Sequence, residues 1–269
     1  YLEFPWGKDD KAFFEGALDY VGQLKKQKQP WMLTLLTVGT HQPYSAPEDY
    51  LQRYETPKQA AVGYLDDALD QFLSGLERQG VLKDTLVVIT SDESHGIDGV
   101  RLASSWGFNL TLAPEQAQLP RLNAGVYGHV DLSTSILDYF DLPVPTALSG
   151  RSLFRDYDSG REIMSFTNGK LRYHNGLGTF TECDFQQRCR DYSSAGFIAE
   201  RVSYLGQYGG KRAREVAARA EGLDRTLLGS PLNQRYQFGG PEVLPLHAQP
   251  NNDWADNLIG AQYLEMPKG

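Results

Sequence analysis

A chain of 269 residues, 41% hydrophobic and 22% charged, is long enough to bury a sizeable core and too apolar to be disordered throughout. A net charge of -8 with no basic stripe argues against a nucleic-acid partner, and the longest apolar run, Met32 to Val38, is too short to span a bilayer. The first residue is Tyr1, with no signal peptide behind it, so an upstream part is expected to precede this chain.

Tyr1 to Gly7 reads as an aromatic loop. Asp9 or Asp10 then caps a helix that carries Phe14, Leu18, Val21 and Leu24 on one face. Lys25, Lys26 and Lys28 suit its carboxyl end, and Gln29-Pro30 stops it. Trp31 to Val38 is apolar nearly throughout and is expected to be a central strand. It ends in Gly39-Thr40-His41-Gln42-Pro43-Tyr44-Ser45, a polar cluster whose histidine is either structural or functional. Thr56-Pro57 starts a second helix, with Ala61, Leu65, Ala68, Leu69, Phe72 and Leu76 at core spacing until Gly80.

The next strand, Leu86 to Ile89, is apolar at consecutive positions and is expected to be fully buried in a parallel sheet. It ends in Thr90, Ser91, Asp92, Glu93, Ser94, His95 and Gly96, and such sheets keep their ligands beyond the carboxyl ends of the strands. Carboxylate plus imidazole is a sensible ligand set for zinc or manganese. A turn whose aspartate and serines cap the next element is the other reading. The crossover through the intervening helix would place His41 and Asp92 at neighbouring or near-neighbouring strand ends.

Phe108 to Ala113 can form a further strand, and Asp131 can cap a helix over Leu132, Ile136, Leu137 and Phe140. From Arg161 onward, residues 162–166, 171–174 and 178–181 read as antiparallel strands joined at Asn168-Gly169 and Asn175-Gly176. Cys183 and Cys189 are expected to close a small disulfide loop, which would suit an exported protein; two unrelated thiols are the alternative. Lys211 to Glu221 has helical composition, and the tail from Gly229 is expected to wrap the surface.

Several of these pieces occur in an order that resembles the sulfatase and lipoteichoic-acid-synthase branch of the alkaline phosphatase superfamily. They are Trp6-Gly7 with Asp9 and Asp10, Thr40-His41-Gln42-Pro43-Tyr44, Leu65-Asp66-Asp67-Ala68-Leu69 to Asp84-Thr85, Ser91-Asp92, Gly128-His129-Val130-Asp131-Leu132, and Gly150-Arg151-Ser152-Leu153. The resemblance spans about Trp6 to Phe154. It implies a doubly wound, mostly parallel α/β sheet flanked by helices, with a small antiparallel carboxyl-terminal subdomain. Residues 1–157 would be the carboxyl-terminal part of the catalytic domain, 158–210 the antiparallel subdomain, and 211–269 a helix and tail.

The resemblance also implies chemistry. Such enzymes move phosphoryl or sulfuryl groups with a metal-activated nucleophile. The transferase members pass a phospholipid head group, of phosphoglycerol or phosphoethanolamine type, to a glycan or lipid acceptor through a covalent intermediate. Their place is the periplasmic or extracellular face of the cytoplasmic membrane, with a membrane tether expected upstream. By position, Asp92 would be a metal ligand and His41 would contact the substrate's phosphoryl group. The family's Asp-His-Gly stands here as Asp92-Glu93-Ser94-His95-Gly96. Either His95 is the second ligand after a two-residue insertion, or Glu93 replaces it as an oxygen ligand. The second case favours manganese or magnesium over zinc. His129 lies in a motif that the family uses structurally. The nucleophile is expected upstream of this chain. Two alternatives stay open: a sulfatase or phosphodiesterase hydrolase, and a non-catalytic domain that keeps the fold and binds a glycan or partner.

Overall fold

The structure, a computed structural model, describes residues 3–4, 7–92, 94, 102–123, 125–146, 148–158, 160–167, 169–184, 186–194, 202–208 and 210–228. The chain is α/β, and its described residues fall into two compact units. One runs to Val87 and includes 112–114; the other takes 88–111 and 115–228.

The first unit opens with a two-residue antiparallel pair, β1 (Glu3–Phe4) and β2 (Gly7–Lys8). Helix α1 (Asp10–Leu24) starts where Asp9 accepts the backbone N–H groups of Lys11 and Ala12, at 3.0 and 3.1 Å. That geometry makes Asp9 the cap and leaves the Asp10 carboxylate for another task. After the short α2 (Glu48–Arg53), helix α3 (Pro57–Arg78) begins as the sequence predicts. Thr56 and Gln59 form a reciprocal capping box and Pro57 takes the first turn. Phe13, Phe14, Ala17 and Val21 of α1 pack against Ala68, Phe72 and Leu76 of α3, with the Phe14 and Phe72 rings stacked at 4.8 Å. Burying each phenylalanine contributes roughly 1.5–3 kcal/mol to stability.

Residues 31–38 depart from expectation, because they run irregularly rather than as a β-strand. Their burial alternates: Trp31, Leu33 and Leu35 pack on the α1–α3 core, while Met32 and Leu36 are 51% and 64% exposed. An unbroken apolar run does not reveal that only one side is covered.

β3 (Val87–Thr90) pairs with β4 (Asn109–Leu112), and all of this pair but Val87 and Leu112 falls in the second unit. β3 is half-buried with Thr90 exposed, not fully buried as the apolar run implies. Helix α4 (Val130–Tyr139) is capped at His129, so Asp131 is not the cap; it lies within the first turn and is wholly buried.

The antiparallel sheet expected after Arg161 has five strands in sequential order: β5 (Ile163–Thr167), β6 (Lys170–His174), β7 (Thr179–Asp184), β8 (Cys189–Ser194) and β9 (Val202–Tyr208). The β6–β7 connection is set by Asn175, whose side chain accepts from the N–H groups of Leu177 and Thr179. Asn168, of the other expected turn, lies outside the described residues. Cys183 and Cys189 stand directly opposite in the β7–β8 pair and form the expected disulfide. One face of the sheet buries Tyr173, Cys183 and Cys189 against Ala213 and Val216 of α5 (Gly210–Leu228). On the other face Trp106 stacks on Phe180 and meets His174 edge-on, and Arg172 pairs with Glu182. The tail from residue 229 lies outside the described residues.

Candidate active site

The polar turn that follows residues 31–38 is tied to the start of α1. Asp10, 2% exposed, accepts the N–H of Val38 at 3.2 Å and of Gly39 at 3.1 Å, one on each carboxylate oxygen. A Cβ at position 39 would stand 2.1 Å from Oδ2 of Asp10, so only glycine lets the backbone approach this closely. Burial pushes the Asp10 carboxyl above its ordinary range, against the two backbone bonds that pull it down.

Beyond Gly39 the chain folds back on itself. The His41 N–H donates to the Val38 carbonyl at 3.0 Å, and the Tyr44 N–H donates to the His41 carbonyl at 2.9 Å. Nδ1 of the exposed His41 ring lies 2.8 Å from the Gln42 carbonyl. A carbonyl only accepts, so Nδ1 is the donor in this contact.

The carboxyl end of β3 is held differently. The Thr90 hydroxyl donates to the Phe108 carbonyl at 2.7 Å, and the Phe108 N–H donates to the Ser91 hydroxyl at 3.0 Å. From the start of α4, Nε2 of His129 reaches the Ser91 carbonyl at 2.6 Å, which makes Nε2–H the donor. That bond occupies Nε2 of His129. Asp92 is the next residue and is exposed.

Asp131 explains two motifs at once. Its carboxylate accepts the N–H of Gly128 at 2.8 Å and of Arg151 at 2.6 Å, and pairs with Arg161 at 2.8 Å. Gly150 is required beside it, since a Cβ there would lie 2.3 Å from the Thr134 hydroxyl and the Val130 carbonyl. Gly128-His129-Val130-Asp131 and Gly150-Arg151 are therefore two halves of one buried ionic knot, which anchors the helix that presents His129.

Of the four residues singled out in the sequence, His41 belongs to the first unit and Asp92 to the second. Glu93 and His95 lie outside the described residues. Among the described residues no group of three or more His, Cys, Asp or Glu is gathered to hold a metal ion. Asp92 brings a carboxylate suited to a divalent ion, but the described side chains do not complete a site around it. Sequence reasoning missed the contacts made by Asp10 and by His129. The adjacent aspartates before the first helix were the available signal for the former, since one cap needs only one of them.

The sequence model of the sulfatase family matches residues 1–142, more than half of the chain, and the chain belongs to that family. It is 33% identical over 94 residues to a lipoteichoic acid synthase of Staphylococcus saprophyticus, covering 32% of this chain and 14% of that protein. It is 31% identical over 116 residues to the low-salt glycan biosynthesis sulfotransferase Agl7 of Haloferax volcanii, covering 38% of this chain and 29% of that protein. The chain thus spans less than a third of either relative's length. The crystal structure of the lipoteichoic acid synthase LtaP from Listeria monocytogenes shares the fold, with a TM-score of 0.56 at 15% identity over 81% of this chain and 57% of that one.

Proposed function

We propose that this chain is part of an enzyme that transfers a phospholipid head group, of phosphoglycerol or phosphoethanolamine type, to a glycan or lipid acceptor through a covalent intermediate. In this reading the nucleophile comes from sequence outside these residues. The protein works at the periplasmic or extracellular face of the cytoplasmic membrane, tethered by an upstream region. The observation that carries the reading is a polar turn bearing His41, locked to the start of α1 within a sulfatase-family match that also includes Asp92. A relative named lipoteichoic acid synthase favours a phosphoryl over a sulfuryl group.

Each residue then has a task. His41 meets the phosphoryl oxygen or leaving oxygen through its ring, and the turn from Val38 to Tyr44 fixes where that ring stands. Asp92, with Glu93 or His95, would hold a divalent ion: manganese, magnesium or zinc. When bound, such an ion neutralises charge on the transferring group and lowers the nucleophile's pKa.

The relative named a glycan sulfotransferase supports a second reading, in which the same site handles a sulfuryl group. The two separate on substrate. A longer chain that includes the upstream segment is offered vesicles of phosphatidylglycerol or phosphatidylethanolamine, and separately an aryl sulfate, with and without a chelator. Chelator-sensitive release of diacylglycerol with a labelled acceptor supports head-group transfer. Turnover of the aryl sulfate alone overturns it in favour of the second reading. Neither activity, with or without chelator, overturns both and leaves a binding domain.

A further inference from the structure

We propose that Asp10 is the positioning residue for His41, holding the turn after residue 38 in the geometry that presents the imidazole. The proposal rests on the reading of His41 given above and deepens it. Asp9 already takes two of the free N–H groups at the start of α1, those of Lys11 and Ala12, and so serves as the cap without a second carboxylate. A second one is nonetheless buried beside it, where desolvation and the charge of Asp9 both work against ionisation. Its bonds run outward instead, to the amides of Val38 and Gly39.

From there the path to the imidazole is continuous. Val38 holds the His41 N–H through its carbonyl, His41 holds the Tyr44 N–H, and the ring closes onto Gln42. Gly39 is an independent mark of the same design, because any side chain there would push the carboxylate out of its place. Asp10 itself cannot drift, since the next two turns of α1 bury Phe13, Phe14 and Ala17. The turn is thus fastened, by two hydrogen bonds to a carboxylate, to the helix that supplies Phe13, Phe14 and Ala17 to the apolar core.

The test is nuclear magnetic resonance on this chain, which has five histidines, with His41 assigned by His41→Gln. In the wild type the Val38 and Gly39 amides should exchange as slowly as those of α1, and the His41 ring should show one Nδ1-protonated form. Asp10→Asn keeps the shape but can accept only one of the two bonds properly. It should speed exchange at positions 38 and 39 by roughly ten- to a hundredfold. The His41 ring should then leave its single tautomer, while the α1 and α3 amides stay as they were. Gly39→Ala should do the same.

Unchanged His41 ring signals in both folded variants would make Asp10 a structural residue only and overturn the proposal. Free exchange at Val38 and Gly39 in the wild type overturns it without any variant, so a failure of the variants to fold does not protect it. The reading of His41 fails separately. Full turnover by His41→Ala in the longer chain would remove the phosphoryl contact and leave the coupling of Asp10 to His41 intact.

Discussion

The two polar turns that carry the candidate chemistry are held by opposite means. The His41 turn hangs on one buried carboxylate from a helix whose own rigidity is apolar, supplied by Phe13, Phe14, Phe72 and their neighbours. The Asp92 end of β3 is held without a carboxylate, by the Thr90 and Ser91 hydroxyls, the Phe108 backbone and the His129 ring. The helix behind that ring is fixed by a buried ion pair, Asp131 with Arg161. Apolar burial loses stability in proportion to the area removed. A buried ion pair is all-or-none, because losing one partner strands the other in a medium that penalises charge.

That contrast orders the expected effects. Asp131→Ala removes the anion beside Arg161, which among the described residues keeps only its bond to the Ser149 carbonyl. It also removes the acceptor of two backbone N–H groups, and it should cost about 3–5 kcal/mol in denaturant unfolding. A loss under about 1 kcal/mol would mean that the second region is not held by this knot. Replacing both Cys183 and Cys189 by serine opens a short loop in the same region. It should lower stability by roughly 2 kcal/mol, read in the same titration. In the first region Thr56→Ala removes one half of the α3 capping box and should cost about 1 kcal/mol, since the apolar core carries the rest.

The smallest effect concerns pH, and the two regions differ in sign. His174 is 5% exposed, its Nδ1 accepts the Gly176 N–H at 2.9 Å, and burial holds its pKa below the ordinary value. The unfolded chain therefore binds that proton more readily. His174 should cost stability as pH falls below about 6.5, down through its folded-state pKa. Asp10 is raised instead, so the folded state holds its proton more tightly, and its contribution should weaken as pH rises above about 3.9. Urea midpoints of wild type and His174→Gln between pH 5 and 7.5, a range spanning the first of these, check the sign. A wild type that loses no more than the variant on acidification contradicts it.

Much of this was legible in the sequence, and the rest was hidden for definite reasons. Helices α1 and α3 announce themselves through Asp9 or Asp10, Thr56-Pro57 and apolar residues at helical spacing, and the structure makes Asp9 the cap. Strands β5 to β7 follow from β-forming residues flanking Asn175-Gly176. Strands β8 and β9 do not, because Cys189-Arg-Asp-Tyr-Ser-Ser is polar at most positions and the β8–β9 pairing is broken by a shift at Asp191. Residues 31–38 misled in the other direction: an apolar run looks covered on both sides, yet Met32 and Leu36 are exposed.

The site follows the same rule. The residue types at His41 and Asp92 and the polar turns that bear them could be read directly. The tie between Asp10 and residues 38 and 39 could not, because a carboxylate that meets backbone N–H groups 28 residues away leaves no side-chain signature. Likewise Asp131 reads as a helix cap, whereas its three partners come from Gly128, Arg151 and Arg161.

Under the proposed function, His41 and Asp92 are each needed for head-group transfer. The most direct test is head-group transfer from labelled phospholipid vesicles by the longer chain, comparing wild type with His41→Ala and Asp92→Asn at matched thermal stability. Each substitution should lower the transfer rate by about a hundredfold or more, as expected for groups that act on the reacting phosphoryl. Either variant working within twofold of wild type would contradict the account.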